Sequence, residues 1–468
     1  MATLTNGDDT KFFGSGNHLV FALGGNDFIS AGGGDDTVWG GAGNDTILPG
    51  IGLDVVHGGS GIDTILYGGA SSGAFVDLEL HRGFAKDLGE AADGDIIDGV
   101  ENVSGSGFHD TILGDGKNNV LQGLAGNDRV LGRGGNDTMI GGDGDDLLDG
   151  GAGADILEAG SGLDVASYES AASGVSVSFA TGTGTRGEAD GDTLSGFEDL
   201  RGSNFNDRLE GDDGVNFIQG EGGADTIRAL GGNDYLYGGD GNDVLSGGDG
   251  NDTLFGGRGA DRLAGGNGTD AAYYDYAKAG VVLSLVSGGS GGEAKGDTYS
   301  SIENVMATVF DDKVSGNGNA NYIEALGGKD TLAGGAGNDT LHGGDQDDQL
   351  SGGDGADVLY GSYGRDILTG GAGEDTFLFE SVYEGGVLPA ERDVILDFEQ
   401  GVDRIDFTGF FDPSFIGGAA FSMTEEEFRF YAAGGDTVIA IDGDGDGSAD
   451  MEIKLIGTYT LTVDDFIL

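Results

Sequence analysis

A bulky aliphatic residue returns at every ninth position over long stretches of this chain, and the residues between are mostly glycine, aspartate and asparagine. From Leu4 to Leu66 the period runs without a gap: Val20, Ile29, Val38, Ile47, Val56 and Ile65 hold the eighth place of successive nonapeptides, after an initial Lys11. Gly40-Gly41-Ala42-Gly43-Asn44-Asp45-Thr46-Ile47-Leu48 shows the full pattern, G-G-x-G-x-D-x-U-x, where U is a bulky aliphatic. The six residues G-G-x-G-x-D predict a turn whose glycines take backbone angles closed to residues with a Cβ. The last three, x-U-x, predict a short strand with its central side chain inward. Two nonapeptides then make one coil of a flattened helix, and the coils stack with parallel pairing.

The same register returns at 105–167, 202–273 and 307–378, so that four blocks hold 30 nonapeptides, with Asp at the sixth position in 26 of them. The second nonapeptide of each block departs from Asp, with His18, Asn119, Asn216 and Asn321. An Asn still offers a neutral carbonyl oxygen, so these positions read as weakened sites at the entry to each block. Between the blocks lie three related inserts, 67–104, 168–201 and 274–306, each opening on a tyrosine (Tyr67, Tyr168, Tyr274). Phe75-Val76-Asp77-Leu78, Gly174–Phe179 and Gly280–Leu285 read as strands by alternation. Each insert closes on a Gly-Asp step and a Glu: Asp95 with Glu101, Asp192 with Glu198, and Asp297 with Glu303. From 379 glycine falls and aromatics rise (Phe398, Phe407, Phe410, Phe411, Phe415, Phe421, Phe428, Phe430, Tyr431), predicting a small conventional β-core. The expected fold is therefore all-β: parallel β-roll blocks at 1–66, 105–167, 202–273 and 307–378, joined by the three strand-rich inserts and closed by a cap over 379–468.

Charge changes this picture from a repeat to a metal-dependent repeat. The chain carries 21 basic and 83 acidic residues, a net charge of −62, with 101 glycines, three prolines and no cysteine. Low hydrophobicity with such a charge is the composition of a disordered chain until something neutralises the acids. Carboxylate and carbonyl oxygens suit hard divalent cations, calcium foremost. Each ion is expected between the turns of coils 18 residues apart, as between Asp27 and Asp45. The candidate ligands are Asp27, Asp36, Asp45, Asp54 and Asp63; Asp128, Asp137, Asp146, Asp155 and Asp164; Asp225, Asp234, Asp243, Asp252, Asp261 and Asp270; and Asp330, Asp339, Asp348, Asp357, Asp366 and Asp375. The register allows about 20 calcium ions, which at two charges each would cancel about 40 of the excess negative charges. A second candidate is Asp442-Gly-Asp444-Gly-Asp446-Gly447-Ser448-Ala-Asp450, which starts like an EF-hand loop but has Ile453 at its twelfth position and strand-like flanks.

The nonapeptide resembles the calcium-binding repeat of RTX proteins. Arg392-Asp393-Val394-Ile395-Leu396-Asp397-Phe398 with Gly401-Val402-Asp403-Arg404-Ile405-Asp406-Phe407 resembles the C-terminal domain of serralysin-type secreted proteins, as does the ending Asp465-Phe466-Ile467-Leu468. The resemblance implies an uncleaved type I secretion signal, passage through that export apparatus, and an extracellular or cell-surface protein of a Gram-negative bacterium. Calcium scarcity inside the cell would keep the chain threadable, and lack of cysteine fits the route.

Other chemistry is thin. Gly288-Gly289-Ser290-Gly291-Gly292 satisfies G-x-S-x-G but is expected in a glycine-rich loop, without the strand–turn–helix setting or His–acid pair that a nucleophile elbow requires. His18, His57, His81, His109 and His342 are scattered, no H-E-x-x-H occurs, and Trp39 stands at an outward ninth position. No apolar stretch is long enough to span a bilayer, and the negative charge disfavours nucleic acid. Repeats, inserts and C-terminal region account for all but Met1, Ala2 and Thr3, so the expectation is a non-enzymatic structural or interaction protein: a surface layer, filament, matrix component or adhesin whose partners are calcium and either further copies of itself or cell-surface polysaccharide. The alternatives are an accessory of polysaccharide modification, by resemblance to the calcium modules of alginate epimerases, and an RTX toxin.

Overall fold

In the computed structural model, which describes residues 1–85, 94–409, 414–422 and 426–468, the chain is almost entirely β. It falls into two compact units, Met1–Asp234 and Tyr235–Leu468, and the division lies inside the third repeat block.

In the first unit each x-U-x triplet is a strand, and strands 18 residues apart pair in parallel, as in Thr37↔Val55, Val38↔Val56 and Trp39↔His57. Successive nonapeptides alternate between two faces, so that Thr10–Phe12, Phe28–Ser30, Thr46–Leu48 and Thr64–Leu66 stack on one face. Leu19–Phe21, Thr37–Ala42 and Val55–Ser60 stack on the other. The core is a single file of eighth-position side chains: Val20, Ile29, Val38, Ile47, Val56 and Ile65 have no exposed surface. Thr10–Phe12, at the start of the roll, carries the exposed Lys11 and pairs on one side only. The repeat strands after it hold because each contributes a buried apolar side chain and most lie between parallel neighbours.

The inserts are strand-rich, and their strands belong to the roll. In the first insert Ala74–Asp77, Arg82–Ala85 and Asp95–Asp98 form an antiparallel meander on one face. Its last strand pairs in parallel with Val55–Ser60, and its first with Thr111–Leu113. On the opposite face Thr64–Leu66, Asn102–Ser104 and Val120–Ala125 stack without interruption. Three strands thus stand where one coil strand would. The second insert repeats the device on the other face, with Ser176–Ser178, Thr183–Arg186 and Thr193–Ser195 between Ile156–Ser161 and Arg208–Glu210. The first and second sequence blocks are in this way consecutive stretches of one roll.

In the second unit the third insert follows the same plan. Val282–Ser284 pairs antiparallel with Gly288–Gly291 and parallel with Lys313–Ser315, while Thr298–Ser300 joins Arg262–Asn267. The C-terminal region continues the roll before ending it. Asp393–Ile395 pairs with Ile367–Ala372, and Arg404–Asp406 with Thr376–Leu378. Met451–Leu455 then pairs with Asp393–Ile395 and turns the face into an antiparallel sheet with Asp436–Asp442 and Glu427–Ala433. Phe407, Phe415, Phe428 and Phe466 pack together there, with ring centroids 4.8 Å apart for Phe428 and Phe466. Phe410 and Phe411, counted with this core from sequence, lie outside the described residues.

Candidate metal centre

All of the sixth-position aspartates named as candidate ligands are buried, none more than 3% exposed. One hydrogen bond recurs along the column. The backbone N–H of Asp27 donates to Asp45 Oδ1 at 2.8 Å, that of Asp36 to Asp54 Oδ1 at 2.7 Å, that of Asp128 to Asp146 Oδ1 at 2.7 Å, and that of Asp330 to Asp348 Oδ1 at 2.8 Å. One carboxylate oxygen therefore ties each rung to the coil before it. The other is left over: at rungs 27–63, 128–164, 261, 270 and 330–375, Oδ2 is buried with no hydrogen-bond partner. A buried carboxylate oxygen without a donor is costly, and a column of them asks for a cation.

The glycines shape the space beside these oxygens. A Cβ on Gly40 would lie 2.3 Å from Asp45 Oδ2 and 2.6 Å from the carbonyl oxygen of Gly58. At the fourth position Gly43 has φ +127°, and a Cβ there would lie 2.0 Å from the Gly25 carbonyl oxygen in the coil below. Carboxylate and carbonyl oxygens of successive coils thus crowd a region that only glycine leaves open. Hard oxygen donors without nitrogen or sulfur are the donor set calcium takes. The residues present fit that ion, with the sixth-position carboxylates and the turn carbonyls as its ligands.

Electrostatics agree. Burial is the main cause that pushes Asp54, Asp330, Asp348 and Asp366 up to about 8, and Asp128 and Asp137 to about 7; the accepted N–H partly offsets it, and neighbouring carboxylates add to it. Asp63, Asp164, Asp270, Asp339 and Asp375 are raised to about 6 for the same reasons.

Several rungs were not evident from the nonapeptide alone. Asp393 accepts the Asp366 N–H at 2.8 Å, is buried, and leaves Oδ2 without a partner, as the repeat aspartates do. Asp95, Asp192 and Asp297 take the same place in the inserts, accepting from Asp54, Asp155 and Asp261. Glu101, Glu198 and Glu303 accept from Asp63, Asp164 and Asp270. The signal was the tetrapeptide D-x-U-x or E-x-U-x without the glycine hexapeptide before it, as in Asp393-Val394-Ile395-Leu396 and Glu101-Asn102-Val103-Ser104. The entry-edge Asn residues have their amides engaged: Oδ1 of Asn119, Asn216 and Asn321 accepts the N–H of Asp115, Asp212 and Asn317, and Nδ2 donates to the carbonyls of Glu101, Glu198 and Glu303.

In the C-terminal loop Asp442, Asp444 and Asp450 offer oxygens within 4.8 Å of one another, and Asp446 is not part of the group. The loop is a hairpin turn braced by Asp carboxylates, with Gly447 N–H donating to Asp442 Oδ2 at 2.8 Å. The G-x-S-x-G run is not a loop: Gly288–Gly291 is an edge strand of the third insert, paired antiparallel with Val282–Ser284. Trp39 is stacked on one side by Phe21 and on the other by His57, at 4.7 and 5.1 Å.

A model of the peptidase M10 serralysin C-terminal domain matches residues 226–468. A model of the RTX calcium-binding nonapeptide repeat matches 14–47, 50–65, 104–139, 131–166 and 201–236. Among solved structures the chain is similar to the R3 subunit of the mannuronan C5-epimerase of Azotobacter vinelandii, at 31% identity over 34% of this chain and 78% of that one, with a TM-score of 0.22. It is also similar to the extracellular lipase of Serratia marcescens, at 19% identity over 60% of this chain and 41% of that one, with a TM-score of 0.18. No curated protein matches it.

Proposed function

This chain belongs to the peptidase M10 serralysin C-terminal family and carries RTX calcium-binding repeats, and from that premise we propose that it is a calcium-folded extracellular structural or interaction protein rather than an enzyme. One observation carries the reading: the column of buried aspartates, with one oxygen tied to the coil before and the other beside the glycines and carbonyls of the turns. In such a chain the ion is a component of the fold. Where calcium is scarce the acids repel and the core cannot close; where it is abundant the coils stack. This suits export by the type I route from a Gram-negative cell, followed by folding outside.

The working surface on this reading is the roll itself. Inserts of one design recur along the chain and offer similar surfaces at intervals, which favours many weak contacts with a repetitive partner. A surface layer, a filament, a matrix or an adhesin uses such contacts, with calcium also able to bridge acidic faces of neighbouring copies. The test is to add calcium to the purified, chelator-treated chain while following circular dichroism, and then to image the product by electron microscopy. The expected result is a cooperative gain of β-signal followed by ordered assemblies. Monodisperse particles at millimolar calcium would overturn self-assembly, and turnover of a polysaccharide such as alginate would overturn the non-enzymatic reading.

A further inference from the structure

The three inserts treat the ladder oxygen differently from the repeats that lead into them, where Oδ2 of Asp54, Asp155 and Asp261 has no partner. Asp192 accepts the Asp155 N–H through Oδ1 at 2.8 Å, as a repeat aspartate would, but its Oδ2 accepts the buried hydroxyl of Tyr168 at 2.9 Å. Asp297 does the same with the Asp261 N–H and the Tyr274 hydroxyl, both at 2.8 Å, and Asp95 with the Tyr67 hydroxyl at 2.9 Å. Each tyrosine is buried, at most 5% exposed. The turns differ too. Gly187–Ala189 and Gly292–Ala294 are 3-10 turns, in which the carbonyls of Gly187 and Gly292 accept the N–H of Asp190 and Lys295. On the far side of each insert the column restarts at Asp110, Asp207 or Asp312, whose carboxylates are engaged by the backbone N–H and hydroxyl of Ser106, Ser203 or Thr308.

We infer that the inserts are calcium-free rungs, in which the hydroxyls of Tyr67, Tyr168 and Tyr274 occupy the side of the carboxylate that faces a cation elsewhere and so mark where each run of calcium sites stops. A hydroxyl hydrogen directed at an oxygen and a divalent cation cannot share that side of it. The neutral donor satisfies the buried oxygen without an ion, and in the second and third inserts the carbonyls of Gly187 and Gly292 already accept a backbone N–H. Calcium is then bound in separate runs, and the inserts are joints that need none. The inference rests on the calcium reading of the repeats.

The same substitution separates the two kinds of rung. Asp192→Asn and Asp297→Asn keep an Oδ1 acceptor for the backbone N–H and place an amide against the tyrosine oxygen. Asp146→Asn and Asp348→Asn place that amide where the ion would be. Bound calcium per chain is counted by equilibrium dialysis on the full chain, with circular dichroism as the check on folding. The insert variants are expected to bind as much calcium as the parent and the repeat variants less. Equal losses in both classes would overturn the inference. Should an Asn variant misfold, Tyr168→Phe and Tyr274→Phe decide the matter: calcium uptake at or above that of the parent supports the assignment, and a loss sinks it. A parent chain that bound no calcium would instead overturn the reading on which the inference rests.

Discussion

A carboxylate buried in a column of its own kind is stable only if its charge is met, and at the residue scale two features of this chain follow from that. The first is the glycine at position one. Gly40→Ala would drive a methyl group into Asp45 Oδ2 and the Gly58 carbonyl. A clash of that kind costs about 1–3 kcal/mol, and here it also intrudes on the oxygens that hold the ion. The expected outcome is a higher calcium concentration at the folding midpoint, measured by circular dichroism. The second is the response to acid. Folded-state values near 8 for Asp54, Asp330, Asp348 and Asp366, against 3.8 for a free side chain, mean that the ion-free folded chain holds protons the unfolded chain has released. Stability of the ion-free fold is then fully present below the free value and is lost as pH rises toward 8. In chelator, β-signal should be retained at low pH and disappear on titration upward, whereas with calcium present it should stay level across the range. A β-signal in chelator that grew with rising pH would contradict the assignment.

At the scale of the element, the repeat strand is three residues long and has little stability of its own. Its worth lies in the central side chain and in its two parallel neighbours. Leu341, which is fully buried, pairs with Ile323 on one side and Leu359 on the other. Leu341→Ala should cost about 2–5 kcal/mol, read as a loss of denaturant resistance at saturating calcium, whereas Thr340→Ala beside it should be nearly neutral. The register of these elements was legible because glycine, aspartate and aliphatic recur in phase. The place of the inserts was less so. Phe75–Leu78 read correctly as a strand, yet nothing in its alternation said that it would lie against Thr111–Leu113, or that Asp95–Asp98 would close the stack on Val55–Ser60. Strand identity is local, but partner choice is settled by which free edge the roll presents. Arg133 shows this. It holds the second, glycine-type position with φ +73°, and its guanidinium grips both oxygens of Asp77 in the first insert at 2.8 and 3.0 Å.

On the scale of the whole molecule, a net charge of −62 sets the condition for folding. At pH 8 and above, chelation should abolish the β-signal and expand the chain, as size-exclusion chromatography with light scattering would detect. Sodium chloride should not replace calcium. Screening at about 8 Å in 0.15 M salt reduces repulsion between exposed charges, but it supplies no ligand to a buried Oδ2. Recovery of the fold in salt without divalent cations would show that bulk charge, and not the rung oxygens, is what calcium corrects. Because coils contact chiefly their neighbours, loss of structure should spread from a damaged rung along its run rather than strike the whole chain at once.

What the amino-acid order determined by itself was the periodic part: the nine-residue phase, the buried aliphatic, the sixth-position aspartate and the demand for a hard cation. These depend on the spacing of residue types along the chain and on net charge, both of which are local or additive. Only the tertiary structure decided that one oxygen is tied and the other left over at rungs 27–63, 128–164, 261, 270 and 330–375. It also decided that Tyr67, Tyr168 and Tyr274 fold back onto Asp95, Asp192 and Asp297, and that Asp393 carries the column into the C-terminal region. Those contacts join residues 23 to 28 positions apart. They exist because stacking brings the residues together, and no shorter pattern in the chain encodes them.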